Sequence, residues 1–444
     1  MKIVIAGAGE VGTHLAKLLS NEDQDIILID SDQDSLDNID SNYNLMTYNG
    51  STSSFEALKE VRVDEADLYI AVTPFETRNI TSCGIAKRLG AKKTVARIDN
   101  FEFLKEANKV ILKQMGVDNM IYPEFLASQE IRTSLEHTWA RHWGELHNGQ
   151  LLLIGVKLRG ESALVNKYLK DLPRENRFFH IAAIKRNHET IIPGGNDIIL
   201  ENDIVYFITD KVHLDSVREL CGKKNHHIRK VMIMGGSRIA IRFSLLNSDR
   251  FQIKIIDPDM DLCEELAYRL PNCEIVHGDA RDIDLLRDNR ISQYDAFIAL
   301  SDSSETNILS CLTAKEFGVK KTVAEVENLQ FLSQAENLNI GTAINKNLLA
   351  SSRIFKLLLD ADENNSKTLA LADAEVAELV VKPGAKVTKS KVKDLKLPSG
   401  MTLAAVVHNN ECSLVSGDTL IEAGDSVVVF CLRGSIHKVE KLFS

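Results

Sequence analysis

Three glycines set the first piece of chemistry in this chain. They stand at Gly7, Gly9 and Gly12 in the run Gly7-Ala8-Gly9-Glu10-Val11-Gly12. In such a pattern the first glycine makes a tight turn, the second lets a pyrophosphate approach the backbone, and the third lets a helix pack close to a sheet. The N–H groups of the helix start then hold the anion. Asp30 follows Gly12 by 18 positions, where a carboxylate accepts from a ribose 2′-OH and repels a 2′-phosphate. NAD(H) or an adenine nucleotide such as ATP or ADP suits that pairing, and NADP does not.

A glycine pattern alone is weak, and its weight comes from the elements around it. The β-branched run Lys2 to Ala6 leads into the turn, a helix pattern on Val11, Leu15, Leu18 and Leu19 leaves it, and the strand Asp25 to Asp30 ends on the acid. Further strands at Leu45 to Tyr48, Leu68 to Val72, Thr94 to Ile98 and Met120 to Tyr122 alternate with helices, one of them opened by a capping box at Ser53-x-x-Glu56. Alternating βα units predict a parallel, doubly wound sheet. The stretch from Leu151 to Cys221 has another rhythm: a strand, a short helix over Ala163 to Leu172, a strand turning at Asn187-His188, the strand Ile204 to Thr209 and a final helix. It reads as a small α+β module, followed by a polar linker at Lys223 to His227.

The opening then repeats. Lys230 to Gly235 stands 228 positions after Lys2 to Gly7, Asp295 after Asp67, Asn307 after Asn79, and Lys-Lys-Thr-Val-Ala recurs at 92–96 and 320–324. The small module recurs 222 positions on, with Gly417 and Asp425 answering Gly195 and Asp203. Internal repetition governs the fold. The expected class is α/β, a tandem duplication of a Rossmann-like doubly wound parallel sheet, each followed by a small α+β module. The expected domains are 1–135, 140–223, 228–358 and 367–444.

With 444 residues and a formal net charge of −10, the chain is a poor match for a phosphate backbone, which clustered Lys and Arg recognise; no nucleic-acid partner is expected. Seven scattered cysteines form no C-x-x-C pair and read as small hydrophobes in a reducing compartment. No apolar run reaches the ~18 to 20 residues of a membrane-spanning helix. Met1-Lys2-Ile3 enters the first strand directly, leaving no room for a signal peptide, so a cytoplasmic location is expected. A hydride-transfer enzyme is the competing class, and it needs a proton donor facing a substrate pocket. His180, His188 and His408 sit around hairpins and turns, and His137, His142 and His147, five apart, spread around a helix without making a metal face. No catalytic residue and no metal site is expected.

The glycine turn, Leu68 to Thr73, Thr77-Arg78-Asn79, Val95 to Ile98 and Asp118 to Glu124, with His277 to Ala280, Ile298 to Ser301 and Glu305 to Asn307 in the second half, resemble the RCK (regulator of conductance of potassium; KTN) family. The tandem arrangement is similar to its peripheral regulatory subunits of Trk-type bacterial potassium uptake systems. The resemblance implies a ring of Rossmann-type domains beneath a membrane-embedded Trk-type transporter subunit, with nucleotide occupancy altering the ring. It puts pyrophosphate on Ala8, Gly9, Glu10 and Val11 and ribose on Asp30, lines the cleft with Ser51 and Thr73, and brings Arg97 to phosphate; the alternative for Arg97 is a pair with Glu124. It also implies that the apolar helix Asn347 to Asp360 crosses to a neighbouring domain, and that the chain is a homo-oligomer, a tetramer closing eight Rossmann-type domains.

The second half departs from the pattern. Gly236-Ser237-Arg238-Ile239-Ala240 has Ser237 and Ala240 where glycines stood, and Glu325 replaces Arg97. Asp257 keeps the ribose position, Asp279 and Ser301 keep the cleft positions, and Arg238 offers a cation to phosphate. A weaker or different ligand remains open there.

Overall fold

Strands buried on both faces need a helix to bring the chain back to the same edge, and the first 121 residues follow that rule. The computed structural model describes residues 1–20, 24–40, 45–172, 178–187, 189–338, 340–359, 367–371, 374–395, 397–398, 400–409, 411–432 and 436–443. Its first sheet holds β1 (Lys2–Ala6), β2 (Asp25–Asp30), β3 (Met46–Asn49), β4 (Leu68–Ala71), β5 (Lys93–Arg97) and β6 (Asn119–Ile121), all parallel, in the order β3-β2-β1-β4-β5-β6. Val4, Ile29 and Tyr69 face one core layer with Leu58 and Cys83. Ile3, Ile5 and Leu28 are equally buried, as are Leu15 and Leu19 of the first helix. The strand order reverses between β1 and β4, which opens a crevice at their carboxyl ends.

The second sheet is antiparallel: β7 (His142–Leu146), β8 (Leu151–Lys157), β9 (His180–Arg186), β10 (Glu189–Ile191) and β11 (Ile204–Asp210), ordered β10-β9-β11-β8-β7. The repeat follows with β12 (Lys230–Met234), β13 (Gln252–Asp257), β14 (Glu274–His277), β15 (Ala296–Ala299), β16 (Lys321–Glu325) and β17 (Thr342–Ile344) in the same parallel order as the first sheet. A last antiparallel sheet holds β18 (Lys367–Leu371), β19 (Ala374–Val380), β20 (Met401–His408), β21 (Glu411–Leu414) and β22 (Ser426–Leu432), ordered β18-β19-β22-β20-β21. The two antiparallel sheets share one apolar layer, with Leu151, Leu153 and Tyr206 against Val376, Ala405 and Phe430.

The chain forms two compact units, Met1–Gln129 with Asn345–Leu358, and Glu130–Ile344 with Leu359–Ser444. Helix Lys346–Leu359 follows the second sheet in chain order yet packs on the first Rossmann-like domain. Asn347 donates Nδ2–H to Glu10 Oε2, and Ser351 Oγ lies 3.5 Å from the Val11 carbonyl. Asp360, where the sequence pattern ended this helix, lies outside the described residues. Conversely, the end of helix Pro123–Glu136 belongs to the second unit, where Ser134 Oγ donates to Thr342 Oγ1 at 2.9 Å and Arg250 pairs with Glu136 at 3.1 Å.

Three local expectations are corrected, and a fourth segment, the polar linker, is further defined. Ala163 to Leu172 is not a helix: Asn166 sits at φ +63°, and the backbone of Asn166, Lys167 and Leu169 bonds instead to Ile199 and Asp197, leaving one 3-10 turn at Leu169–Asp171. Helix Phe55–Glu60 is capped by Ser54, whose Oγ accepts from Ala57 N–H, not by Ser53. His137, His142 and His147 do not share a helix, because it ends at Glu136 and β7 intervenes. The linker is pinned: Asn225 Oδ1 accepts from the N–H and Oγ of Thr138 at 3.1 and 2.9 Å. His188 lies outside the described residues.

Candidate nucleotide cleft

β1 empties directly into the glycine turn. Gly7 has φ +116°, and a Cβ there would stand 2.9 Å from Thr73 N, so neither the conformation nor the space admits another residue. A Cβ on Gly12 would meet the Gly7 carbonyl oxygen at 1.8 Å, which is the close packing of helix Glu10–Leu19 on the sheet. Gly9 is different, for its Cβ direction meets no heavy atom within 4 Å. Gly9 is also the N-cap of the helix and offers no side-chain acceptor. The helix therefore presents uncapped N–H groups and the positive end of its dipole to open space, an arrangement suited to an anion.

Asp30 closes the other side. Its Oδ2 accepts from Ala8 N–H at 2.6 Å and its Oδ1 from Asp32 N–H at 3.0 Å, so the carboxylate braces the turn at the end of β2. Val11 is buried under the turn, Glu10 is exposed and bonded by Asn347, and Ser51 lies exposed beyond β3 with its Oγ 3.4 Å from Ser53 Oγ. Thr73 follows β4 and is 4% exposed.

A residue that in sequence marked the repeat and the family resemblance, with no role of its own, organises this edge. Asn79 is fully buried; its Oδ1 accepts from Thr73 N–H and Oγ at 2.9 and 2.6 Å, and its Nδ2 donates to the carbonyls of Thr73 and Arg97, both at 2.9 Å. One amide thus ties the ends of β4 and β5 together. Asn307 repeats the clamp on Ser301 and on the Glu325 carbonyl. The recurrence of a buried polar residue at the repeat interval was the signal available in sequence.

Arg97 ends β5 and lies 3.7 Å from Glu124 Oε1, with Glu124 only 4% exposed. Glu124 Oε2 has no hydrogen-bond partner. The guanidinium is thus held loosely at the carboxyl edge, with donors left for a phosphate fork. Glu76 braces the same edge by accepting from Asp99 and Asn100 N–H at 3.0 Å; burial first, and then neighbouring Asp99, hold its carboxyl above the usual carboxylate range.

The second cleft shares the frame and differs in the anion position. Asp257 Oδ2 accepts from Gly236 N–H at 2.7 Å and Oδ1 from Asp259 N–H at 2.9 Å. Ser237 occupies the N-cap with its own Oγ directed at Ala240 N–H, at 3.5 Å. A Cβ on Gly236 would meet Leu266 at 2.6 Å, so the turn lies under apolar side chains. Arg238 is exposed and Ile239 buried, while Asp279 is occupied by Arg281 at 2.6 Å, an ion pair that holds its carboxyl below the usual range. Ser301 keeps the Thr73 role. Among the described residues no group of His, Cys, Asp and Glu could hold a metal, and no helix is long and apolar enough to cross a membrane.

Against known proteins, the TrkA-N domain model matches residues 3–123 and 231–346, and the TrkA-C domain model matches 153–222 and 376–444. The Trk system potassium uptake protein TrkA of Vibrio alginolyticus is 31% identical over all of this chain and 98% of its own length. That of Halomonas elongata is 30% identical with the same coverage. Among solved structures, the GsuK RCK domain superposes over all of this chain and 94% of its own, with TM-score 0.61 and 14% identity. The GsuK channel bound to NAD gives TM-score 0.60 at 16% identity, over all of this chain and 78% of its own.

Proposed function

This chain belongs to the TrkA family, and on that premise we propose that it is the nucleotide-sensing regulatory subunit of a Trk-type potassium transporter. The observation that carries the reading is the first cleft: an uncapped helix start beside an open Gly9, at the reversal of strand order, with the Asp30 carboxylate bracing the turn as the proposed ribose acceptor. NAD(H), ATP and ADP share the adenosine ribose and diphosphate that these groups fit, and a GsuK channel, of the same fold, is described as bound to NAD. The second cleft, self-capped by Ser237, binds more weakly or binds something else. The working domains are 1–135, 140–223, 228–358 and 367–444. Their combination is regulatory and not catalytic.

The coupling runs through the helix Lys346–Leu359. It carries the chain on from the second Rossmann-like domain, and its Asn347 bonds the first residue after the open glycine. A nucleotide on Gly9 and Glu10 therefore acts on an element of the other half of the repeat. Ligand shifts such a system only by binding its conformations with different affinity.

Assembly is with further copies of this chain, as a tetramer of tandem chains on the inner face of the membrane, beneath the transporter subunit. A groove of about 720 Å³ beside β6, of mixed lining with Phe101, Val110, Met120 and Phe125 beside Glu106 and Arg353, offers a surface for this, continued by exposed Ile111 and Met115. The test of function is calorimetric titration of NAD, NADH, ATP and ADP into the wild-type chain and Gly9→Val. Binding in the first and loss in the second is expected; equal isotherms would remove the assignment.

A further inference from the structure

The two small modules repeat a buried aspartate and change its partner. Asp203 and Asp425 stand 222 positions apart, and so do the residues that meet them, Arg186 and His408. In the first module Asp203 is 1% exposed, and its Oδ2 accepts from Leu200 N–H at 2.8 Å. Arg186, the last residue of β9, grips it with a fork, Nε to Oδ1 at 2.9 Å and Nη2 to Oδ2 at 2.7 Å, and also donates to the Ile198 carbonyl at 2.7 Å. In the second module Asp425 is 3% exposed, and its Oδ2 accepts from Glu422 N–H at the same 2.8 Å. Its other oxygen meets the last residue of β20, His408, whose Nδ1 lies 2.6 Å from Oδ1.

Asp425 pins its turn from both ends. Its backbone carbonyl accepts from Val381 N–H at 2.8 Å, and Gly424 N–H donates to the Val381 carbonyl at 2.8 Å, so the exit of β19, the turn 422–425 and the start of β22 are held together. An arginine fork on a carboxylate keeps its charge at every pH a folded protein meets. A histidine keeps that charge only while the imidazole holds its second proton. The His408 side chain is half-exposed, so protons from solvent reach it. Among the described residues the charged groups acting on it are all acidic: Asp425 and Glu422 on the turn, and Glu411, which stands opposite it on β21. The hydrogen bond to Asp425 first, and then these charges, raise His408 above the ordinary histidine value.

We propose that the His408–Asp425 pair is a proton-operated brace of the second small module, for which the Arg186–Asp203 pair is the permanent counterpart in the first. Protonated, His408 holds the turn 422–425 to the end of β20 through a charged pair. Neutral, it leaves the buried carboxylate without that charge, and the turn loosens. Because the folded state raises the histidine, the stabilisation is complete below the unfolded value of about 6.5 and is lost as pH rises through the folded value. One half of the repeat therefore responds to pH at a place where the other half does not, independently of any nucleotide in the glycine turns.

Hydrogen exchange of the full chain, corrected for the intrinsic pH dependence of exchange, tests this at two matched turns, residues 416–425 and residues 194–203. Between about pH 5.5 and about pH 8.5 the protection of 416–425 should fall by at least about threefold, while that of 194–203 stays level. His408→Arg should remove the pH dependence and hold 416–425 at its acid level. His408→Gln should also remove it, at the lower, alkaline level. Protection of 416–425 that does not change with pH in the wild-type chain, or a pH dependence that survives in either variant, overturns the proposal.

Discussion

Asp30, Gly9 and Arg97 carry the residue-scale account, and each has a distinct expected effect. Asp30→Ala removes a charged acceptor and should weaken nucleotide binding by about 1.5 to 3 kcal/mol in a calorimetric titration. Arg97→Ala should narrow the difference between ATP and ADP more than it weakens adenosine itself, because its guanidinium, 3.7 Å from Glu124, stands at the edge where the proposed mode of binding puts the terminal phosphate. Lys321 gives a pH dependence. Its folded-state value of about 7 lies below the ordinary lysine value near 10.4, so the unfolded chain binds more protons between the two. In phosphate-free buffer the melting temperature should therefore gain from this group as pH rises from about 7 towards 10, and Lys321→Met should flatten that part of the profile. The glycine turn and Asp30 were legible because their spacing is a backbone requirement. The Asn79 clamp was not read as such: its recurrence as Asn307 marked the repeat, but the role of a buried amide is set by bonds that only the fold brings together.

At the scale of elements, the alternation of strands and helices and the repeat intervals predicted both parallel sheets, since β-branched runs between helices have few other ways to be buried. Short elements were less legible. The stretch Ala163 to Leu172 has helical spacing but gives its backbone bonds to the 197–199 segment, and tertiary pairing outweighs so short a helix. Asn79→Ala leaves buried groups at the ends of β4 and β5 without partners and should destabilise the protein by on the order of 3 kcal/mol in denaturant unfolding, as should Asn307→Ala in its own sheet. The crossing of the helix Lys346–Leu359 was implied by the family resemblance, its apolar residues alone being equally compatible with packing in its own domain, and its contact with the glycine turn was not foreseen. Asn347→Ala should leave nucleotide affinity within about threefold of wild type while weakening the link to the second half, read as loss of a nucleotide-dependent change in hydrogen exchange over residues 230–344.

At the scale of the whole molecule, the proposal is that occupancy of the first cleft is felt by the second half through the helix Lys346–Leu359, which follows the second sheet in chain order and packs on the first Rossmann-like domain. The exposed Val110, Ile111 and Met115 are the surface proposed for assembly with neighbouring copies. Val110→Asp with Ile111→Asp should reduce the assembled mass measured by light scattering, and a mass unchanged from wild type would place the assembly surface elsewhere. The central claim is that a nucleotide in the first cleft controls a membrane transporter, and ion flux through the reconstituted transporter with this subunit added tests it most directly. A coupling of about 1 to 3 kcal/mol predicts a change in flux of roughly 5- to 150-fold on saturation with at least one of ATP, ADP, NAD or NADH, absent in Gly9→Val. Flux indifferent to all four, with binding to the same preparation confirmed by calorimetry, would contradict the account.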